Sequence, residues 1–335
     1  MKGDHEWPFS SVDLDGSKID TLFEFFLGRG PKDETERNVA LYIGRHYPNP
    51  LLELFRHFIC RDEVQGRMQD MYPIIFDLYL RERSFGQRII PKANLFCIGA
   101  ARCGTTSLSV LLSEHPAVHL PAVKEPNFFS HHLPDGATES DFRWYEPFFT
   151  GYAGERYLCD FSPNYIWSDS AKSAIPRYNP NATIIACIRN PIDRAMSDYF
   201  YLRDYHNFRS PVDYFEYGMS RIGQADQAWF SASVALRKGK YLDDIQYWKS
   251  HFPRMLIIEF DELSDMARLS TKIFRHLGIK NINPSQRLAD PINQSKQEDT
   301  EESRRARDLL RDFYRDEIEA IQDVLGCLKK AAHPK

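Results

Sequence analysis

The sequence contains no long uninterrupted hydrophobic run, and this absence limits where the protein can act. A membrane-spanning helix needs about 20 consecutive apolar residues, and no segment of the 335-residue chain approaches that length. The first ten residues are polar and include Asp4 and Glu6, so they do not resemble the apolar part of a secretory signal. The sequence therefore predicts a cytoplasmic protein that does not act at a membrane.

Runs of basic residues are also absent. The net charge is −4, and no five consecutive residues are lysine or arginine. Nucleic acids and anionic membranes are bound through clusters of positive charge, so neither is an expected partner. The hydrophobic content of 42% and the aromatic content of 13% are typical of a packed globular protein. None of these features predicts an oligomeric state.

Paired cysteines are missing as well. The six cysteines are scattered, none forms a Cys-x-x-Cys pair, and three lie in apolar or strand-like runs. This pattern predicts reduced, buried thiols in a cytosolic protein. No group of residues has the spacing of metal ligands, so the sequence predicts no metal cofactor.

The patterns that are present divide the chain into two regions. Residues 1–90 have apolar positions at helical spacing and predict a helical N-terminal region. From residue 91 to residue 335, short apolar runs alternate with amphipathic segments. Such alternation predicts an α/β fold of three layers, with a central parallel sheet covered by helices on both faces. The predicted strands are 94–99, 182–188 and 255–260, and the main predicted helices are 106–113, 191–205 and 301–328.

The first of these strands is followed by a loop with the spacing of a phosphate-binding loop. Gly99 and Gly104 are separated by four residues, and hydroxyl side chains follow at the start of a helix. Unpaired backbone N–H groups and the positive end of a helix dipole together bind anions. The lysine that ATP-binding loops place after the second glycine is absent. The candidate phosphate ligands are Arg102, Cys103, Gly104, Thr105, Thr106 and Ser107; the alternative is an ordinary turn.

A second candidate anion site follows the strand 182–188. Arg189 ends this strand, Asn190 is suited to cap the next helix, and Pro191 is suited to its first position. Ligands of open α/β sheets bind at the carboxyl ends of the strands. An arginine together with the hydroxyl of Ser197, two turns into the helix, would receive a phosphate dianion. The alternative is a helix cap with a surface arginine.

Together the two segments resemble the family of PAPS-dependent sulfotransferases, where PAPS is 3′-phosphoadenosine 5′-phosphosulfate. The segment 99–108 is similar to the loop that binds the 5′-phosphosulfate, and Arg189 and Ser197 are similar to the 3′-phosphate motif. The resemblance implies a P-loop-like fold, PAPS as donor, adenosine 3′,5′-bisphosphate as product and no metal. It continues through 236–241, 247–253, 256–263 and 274–278.

The segment Glu125-Pro-Asn-Phe-Phe129 is similar to the one that carries the general base in the heparan-sulfate-type branch of this family. The resemblance implies that Glu125 deprotonates the acceptor hydroxyl or amine as it attacks sulfur. It further implies that Arg102 stabilises charge on the bridging phosphate oxygen and that Lys124 is a second cation near the sulfuryl group. The alternative for Lys124 and Glu125 is a surface ion pair.

Residues after Glu125 supply candidate contacts with the acceptor. His131, His132 and Phe129 are assigned this role; the alternative for the two histidines is that they have no functional role. An aromatic cluster downstream is expected to be mostly core, with one or two rings lining the acceptor pocket. Its members are Trp144, Tyr145, Phe148, Phe149 and Tyr152.

Three departures from the family pattern concern cations. Arg102 stands where lysine is common, and Phe161 stands at a second lysine position, in the segment 160–165. A basic loop near the C-terminus, which contacts the nucleotide in the family, has no clear counterpart. The nearest candidates are Asn293, Ser295 and Lys296.

The sequence thus favours transfer of a sulfuryl group from PAPS to a small metabolite such as a natural product, because a long basic groove for a polyanion is not indicated. A glycan acceptor is the alternative. In another class, a P-loop kinase would use ATP and magnesium, with Glu259 or Asp261 as the metal-binding acid. A non-catalytic module, in which residues 1–90 dock a partner, is the third alternative.

Overall fold

The computed structural model describes residues 90–322, with gaps at 122–124, 133–137, 139–141, 143–144, 147, 150, 204–205, 225–230 and 286–298, together with residues 20, 23, 30–32, 34 and 37. The predicted helical region 1–90 and its boundary therefore lie almost wholly outside the described residues. Of that region, Phe23 is buried in the same hydrophobic cluster as the sheet.

A five-stranded parallel sheet forms the centre of the molecule. Its strands are β1 (Leu95–Gly99), β2 (Val118–His119), β3 (Tyr157–Phe161), β4 (Thr183–Ile188) and β5 (Leu256–Glu259), arranged in the order β2-β3-β1-β4-β5. Every pairing is parallel, and β1 lies between β3 and β4. The central strands are buried along almost their whole length, because helices cover both faces of the sheet. The predicted α/β class and parallel sheet are confirmed.

Eight α-helices with complete bounds accompany the sheet in the part of the chain that is described. They are α1 (Thr105–Ser113), α2 (Asp169–Tyr178), α3 (Pro191–Tyr201), α4 (Pro211–Ser220), α5 (Ala232–Arg237), α6 (Leu242–His251), α7 (Met266–Leu277) and α8 (Glu301–Phe313). Short helical segments with complete bounds also lie in the described loops: a π-helix at Phe128–His132 and 3₁₀ turns at Tyr165–Trp167 and Phe260–Ser264.

Two hydrophobic cores result. The larger one surrounds the sheet, and the second packs α3, α4, α5 and α8 against one another through residues such as Tyr199, Phe215 and Leu310. The second core matters for function because it fixes α3, the helix that carries Ser197.

Two predicted helices differ from their predicted bounds. Helix α3 ends at Tyr201 instead of near residue 205, because the chain turns back and places the ring of His206 on Tyr199, with 5.0 Å between the ring centroids. The last helix, predicted over 301–328, is interrupted by a turn at Tyr314 and resumes over 315–322. The hydroxyl of Tyr314 there donates to the carbonyl of Leu236 (2.6 Å).

The four described cysteines, Cys97, Cys103, Cys159 and Cys187, are buried free thiols, as predicted. Within the described part of the chain, no helix has both the length and the apolar composition needed to cross a membrane. The cytoplasmic location stays a prediction.

Candidate active site

The phosphate loop between β1 and α1 depends on two glycines. Gly104 caps α1 with a φ of 81°, and a Cβ atom there would lie 2.1 Å from Cδ1 of Leu263. Gly99 has a φ of 148°, and its Cβ would lie 2.6 Å from the carbonyl oxygen of Pro163. Both positions therefore require glycine. Because Gly104 has no side chain, it cannot cap the first N–H groups of α1, which are the groups that bind anions at a helix N-terminus.

The two predicted anion sites meet in the structure. The side chain of Arg102 reaches from the phosphate loop to α3, where Nε and Nη2 donate to Oγ of Ser197 at 3.3 and 3.2 Å. Its guanidinium also lies 4.0 Å from the ring centroid of Tyr201. Arg189 donates from Nη1 to the backbone oxygen of Arg102 (3.5 Å), and its guanidinium lies 4.2 Å from the ring centroid of Phe260. Neighbouring strands thus bring Arg102, Arg189 and Ser197 to one place.

The electrostatics of this cluster favour an anion. Burial lowers the pKa of Arg102, the carboxylate of Asp198 opposes this shift, and the positive charges of Arg189 and Arg194 lower the pKa further. Guanidinium groups that destabilise one another in this way are stabilised when a phosphate is placed between them. The residues therefore fit a ligand that carries phosphate groups.

Glu125 is held at the same edge of the sheet by the end of β3. It has a φ of 62°, and its backbone oxygen accepts a hydrogen bond from Nδ2 of Asn127 (3.0 Å). The backbone N–H of Asn127 donates to Oγ of Ser162 (2.9 Å), and Ser162 donates to Oδ1 of Asp160 (2.6 Å). A short chain of hydrogen bonds thus connects the segment of Glu125 to β3.

Asp160 is the anchor of this chain. Its side chain is fully buried and accepts hydrogen bonds from the hydroxyl groups of Tyr145 (2.5 Å) and Tyr165 (2.9 Å) in addition to Ser162. Burial raises the pKa of Asp160 to about 6; the three hydrogen bonds oppose the shift, and the negative charge of Glu125 adds to it. No role was predicted for Asp160 from the sequence, although a lone acid inside the apolar run Tyr157–Phe161 was a signal of a buried carboxylate.

We expect Asp160 to make the stability of the protein depend on pH. Because its pKa in the folded protein is about 6 and its ordinary value is 3.8, the folded protein holds a proton that the unfolded chain has lost between these values. This stabilisation is present below about pH 4 and is lost as the pH rises through about 6. The unfolding free energy of the wild type should therefore fall by about 2 kcal/mol relative to Asp160→Asn between pH 4 and pH 7.

Urea denaturation at a series of pH values measures this difference. Asp213→Asn, at an exposed position on α4, is the matched control and should follow the wild type. A curve for Asp160→Asn that runs parallel to that of the wild type would contradict the raised pKa.

The remaining predicted site residues are described to different extents in the structure. Phe129 is fully buried and packs edge-on against Tyr145 with 4.7 Å between ring centroids, so its ring belongs to the core and cannot reach an acceptor without opening that core. Phe161 is buried in β3, so the position where the family pattern has lysine is apolar in this chain. Of His131 and His132, only the backbone is described, in the π-helix. Lys124, Asn293, Ser295 and Lys296 lie outside the described residues.

The aromatic cluster is mostly core, as expected. Tyr145, Phe148 and Phe149 are buried, and Tyr152 packs against the same core. Trp144 lies outside the described residues. Glu259, one of the two alternative candidates for the metal-binding acid of a kinase, forms a capping box with Glu262 at the start of a 3₁₀ turn. Glu262 in turn binds the ammonium of Lys272 at 2.7 Å.

Comparison with known proteins agrees with the resemblance seen in the sequence. The family model described as "Sulfotransferase domain" matches residues 92–312, which is more than half of the chain. Human heparan sulfate glucosamine 3-O-sulfotransferase 6 is 28% identical over 204 residues, covering 59% of this chain and 55% of that protein. Human bifunctional heparan sulfate N-deacetylase/N-sulfotransferase 3 is 27% identical over 215 residues, covering 61% of this chain and 24% of that protein.

A solved structure supports the same conclusion. The crystal structure of a sulfotransferase from Alicyclobacillus acidocaldarius superposes with a TM-score of 0.57 at 25% identity, covering 71% of this chain and 97% of that one. The chain spans about half the length of the first curated relatives it matches. The matched region contains the phosphate loop, Glu125, Arg189 and Ser197. This chain belongs to the sulfotransferase family.

Proposed function

We propose that this protein transfers the sulfuryl group of PAPS to a hydroxyl or amine group of an acceptor. The observation that carries the proposal is the meeting of the phosphate loop with Arg189 and Ser197 at the carboxyl edge of the sheet. Two phosphate receptors on neighbouring strands suit a nucleotide that has phosphate groups on both its 5′ and 3′ positions. Membership of the sulfotransferase family supports the same donor.

Each part of the site has a role in this proposal. The first N–H groups of α1, from Gly104 to Ser107, hold the 5′ side of the donor, and Arg189 with Ser197 holds the 3′-phosphate. Arg102 belongs to both receptors, because its backbone is part of the loop while its side chain binds Ser197. PAPS supplies an activated sulfuryl group and leaves as adenosine 3′,5′-bisphosphate.

Glu125 is proposed as the general base. It is partly exposed, it lies on the β3 side of the phosphate loop, and the chain of hydrogen bonds through Ser162 to Asp160 holds its segment in place. A carboxylate so placed removes the proton of the attacking group, which then reaches sulfur from the side opposite the leaving phosphate. Lys124 and the histidines at 131 and 132 are proposed to flank the sulfuryl group and the acceptor.

A small metabolite is the proposed acceptor, because the net charge of −4 and the lack of basic runs do not suit a long polyanion. A glycan is the second candidate, because the named relatives act on heparan sulfate. An assay with radiolabelled PAPS separates the two: label is expected in low-molecular-mass products, and label in heparan-type oligosaccharides alone would favour the glycan.

The N-terminal region is proposed to pack on the main domain rather than to form an independent module. Phe23, which has no exposed surface, belongs to the same buried cluster as the strands of the sheet. The proposed division is therefore a helical region over 1–90 that supports a sulfotransferase domain over 91–335.

Calorimetric titration in EDTA tests the donor. We expect the wild type to bind adenosine 3′,5′-bisphosphate without metal and to bind AMP and ATP at least about tenfold more weakly, because both lack the 3′-phosphate. Arg189→Ala should weaken binding of the bisphosphate by about 10- to 100-fold, the effect of losing a charge-assisted hydrogen bond.

Arg275→Ala, at an exposed position on α7, is the matched control and should bind like the wild type. Binding of ATP that requires magnesium and ignores the 3′-phosphate would overturn the proposal and favour a kinase with Glu259 or Asp261 at the metal.

A further inference from the structure

A buried lysine near the phosphate loop has no hydrogen-bond acceptor among the described residues. Lys238 directly follows α5 and is only 9% exposed, and its Nζ lies 5.3 Å from the ring centroid of Trp167. Among the residues that the structure describes, none accepts a hydrogen bond from Nζ. An ammonium group is costly to bury unless an oxygen atom accepts its protons. Nζ is therefore poorly solvated, and an acceptor oxygen supplied by a ligand would stabilise it.

The indole N–H group of the neighbouring Trp167 also has no hydrogen-bond partner among the described residues. Its Nε1 atom is buried. An indole N–H group and an ammonium group can only donate hydrogen bonds. The guanidinium of Arg237, 5.0 Å from the centroid of the same ring, adds a further positive charge. A group that satisfies this site must therefore be rich in acceptor oxygens and negatively charged.

The local charge balance points the same way. The carboxylate of Asp198, only 4% exposed, accepts a hydrogen bond from Nη1 of Arg194 at 3.1 Å. Its negative charge also acts on Lys238 and on Arg102 of the phosphate loop. Arg194, Lys238 and Arg102 are thus balanced by a single carboxylate, so this poorly solvated region carries an excess of positive charge. A second negative charge would be strongly stabilised there.

The backbone connects this lysine to the phosphate loop. Tyr241, three residues after Lys238, places its hydroxyl 3.5 Å from Sγ of Cys103, the residue before Gly104. Trp167 follows Ile166, and the side chain of Ile166 lies where a Cβ on Gly99 would be placed. Lys238 and Trp167 therefore belong to the segments that pack on the two ends of the loop.

We propose that Lys238 and Trp167 form a subsite for an oxyanion beside the phosphate loop, additional to the receptors for the two nucleotide phosphates. The proposal rests on the proposed function. The occupant is an oxyanion group of a substrate, either the sulfuryl group of PAPS or an acidic group of the acceptor. Both present several acceptor oxygens to the ammonium and to the indole N–H. When the site is empty, the Trp167 ring keeps the ammonium in place by a cation–π contact.

The variant Lys238→Met keeps the length of the side chain and removes its charge. Calorimetry would measure its affinity for adenosine 3′,5′-bisphosphate, for PAPS, and for sodium sulfate added to the protein saturated with the bisphosphate. We expect the affinity for the bisphosphate to stay within about twofold. A loss of about tenfold or more for PAPS identifies the sulfuryl group as the occupant, and the same loss for sulfate alone identifies an acidic group of the acceptor.

Two further variants sharpen the test. Lys240→Met is the matched control, because the Nζ of Lys240 also lies over an aromatic ring, 4.9 Å from the centroid of Phe313, but the residue is exposed. This variant should change none of the three affinities. Trp167→Phe keeps an aromatic ring and removes the N–H, so it should weaken the same ligand as Lys238→Met by a smaller factor.

Two results would overturn the subsite. One is that Lys238→Met binds all three ligands like the wild type, and the other is that it loses affinity for the bisphosphate and PAPS equally. Binding of the bisphosphate by the wild type is the separate test of the proposed function, so failure of one proposal is distinguishable from failure of the other.

Discussion

Glu125→Gln is expected to lower the turnover number by a factor of about 10² to 10⁴. The amide has the size of the carboxylate but cannot take a proton from the acceptor. The segment should stay in place, because the hydrogen bonds of the backbone oxygen of Glu125 and of the backbone N–H of Asn127 are kept in the variant. The affinity for adenosine 3′,5′-bisphosphate, measured by calorimetry, should therefore be unchanged.

Steady-state assays with labelled PAPS would measure the loss, and Glu216→Gln, at an exposed position on α4, is the control that should keep full activity. A decrease of less than about tenfold would assign the base to another group, with the histidines at 131 and 132 as the next candidates. A parallel loss of nucleotide affinity would show that Glu125 has a structural role instead.

Arg194→Met is expected to lower the free energy of unfolding by about 3 to 5 kcal/mol. Arg194 has no exposed surface; it donates to Asp198 (3.1 Å) and to the backbone oxygen of Ala235. Burial disfavours the charged form of Arg194, but the carboxylate of Asp198, together with smaller contributions from Tyr241, Tyr314 and Cys103, raises its pKa. Methionine would leave that buried carboxylate without its hydrogen-bonded partner.

Urea denaturation would measure this loss against Arg307→Met. The pair between Arg307 and Asp193 (2.6 Å) also involves α3, but its side chains are 34% and 39% exposed. Solvent weakens such a pair, so its removal should cost no more than about 1 kcal/mol. Equal losses in the two variants would show that burial does not set the strength of the pair between Arg194 and Asp198.

The sequence was sufficient for those parts of the fold that depend on local patterns. β1, β4 and β5 were predicted because each is a continuous apolar run, and the start of α3 was predicted because Asn190 and Pro191 have specific places at a helix start. Asn190 does cap α3, with its side chain accepting from the N–H of Ile192 at 2.9 Å. In contrast, β2 has only two residues, and β3 contains Asp160, which interrupts the apolar pattern of a buried strand.

The site was predictable only in its separate pieces. The phosphate loop and the pair of Arg189 and Ser197 were found from spacing, but not the contact that joins them through Arg102. The partner of Asp160, Tyr145, is 15 residues away along the chain, and Trp167 is 71 positions before Lys238. No periodicity relates such residues, because packing alone decides which of them meet.

The end of the last helix has a consequence for how the protein is made. The carboxylate of Glu317 accepts from the backbone N–H groups of Tyr241 (2.7 Å) and Leu242 (2.8 Å) and so caps the start of α6. Tyr241 in turn contacts Cys103 in the phosphate loop. On the ribosome, a nascent chain holds the loop and both anion receptors long before residue 317 has emerged. The nucleotide site therefore acquires this support only after α8 and the helical segment 315–322 have been synthesised and have docked.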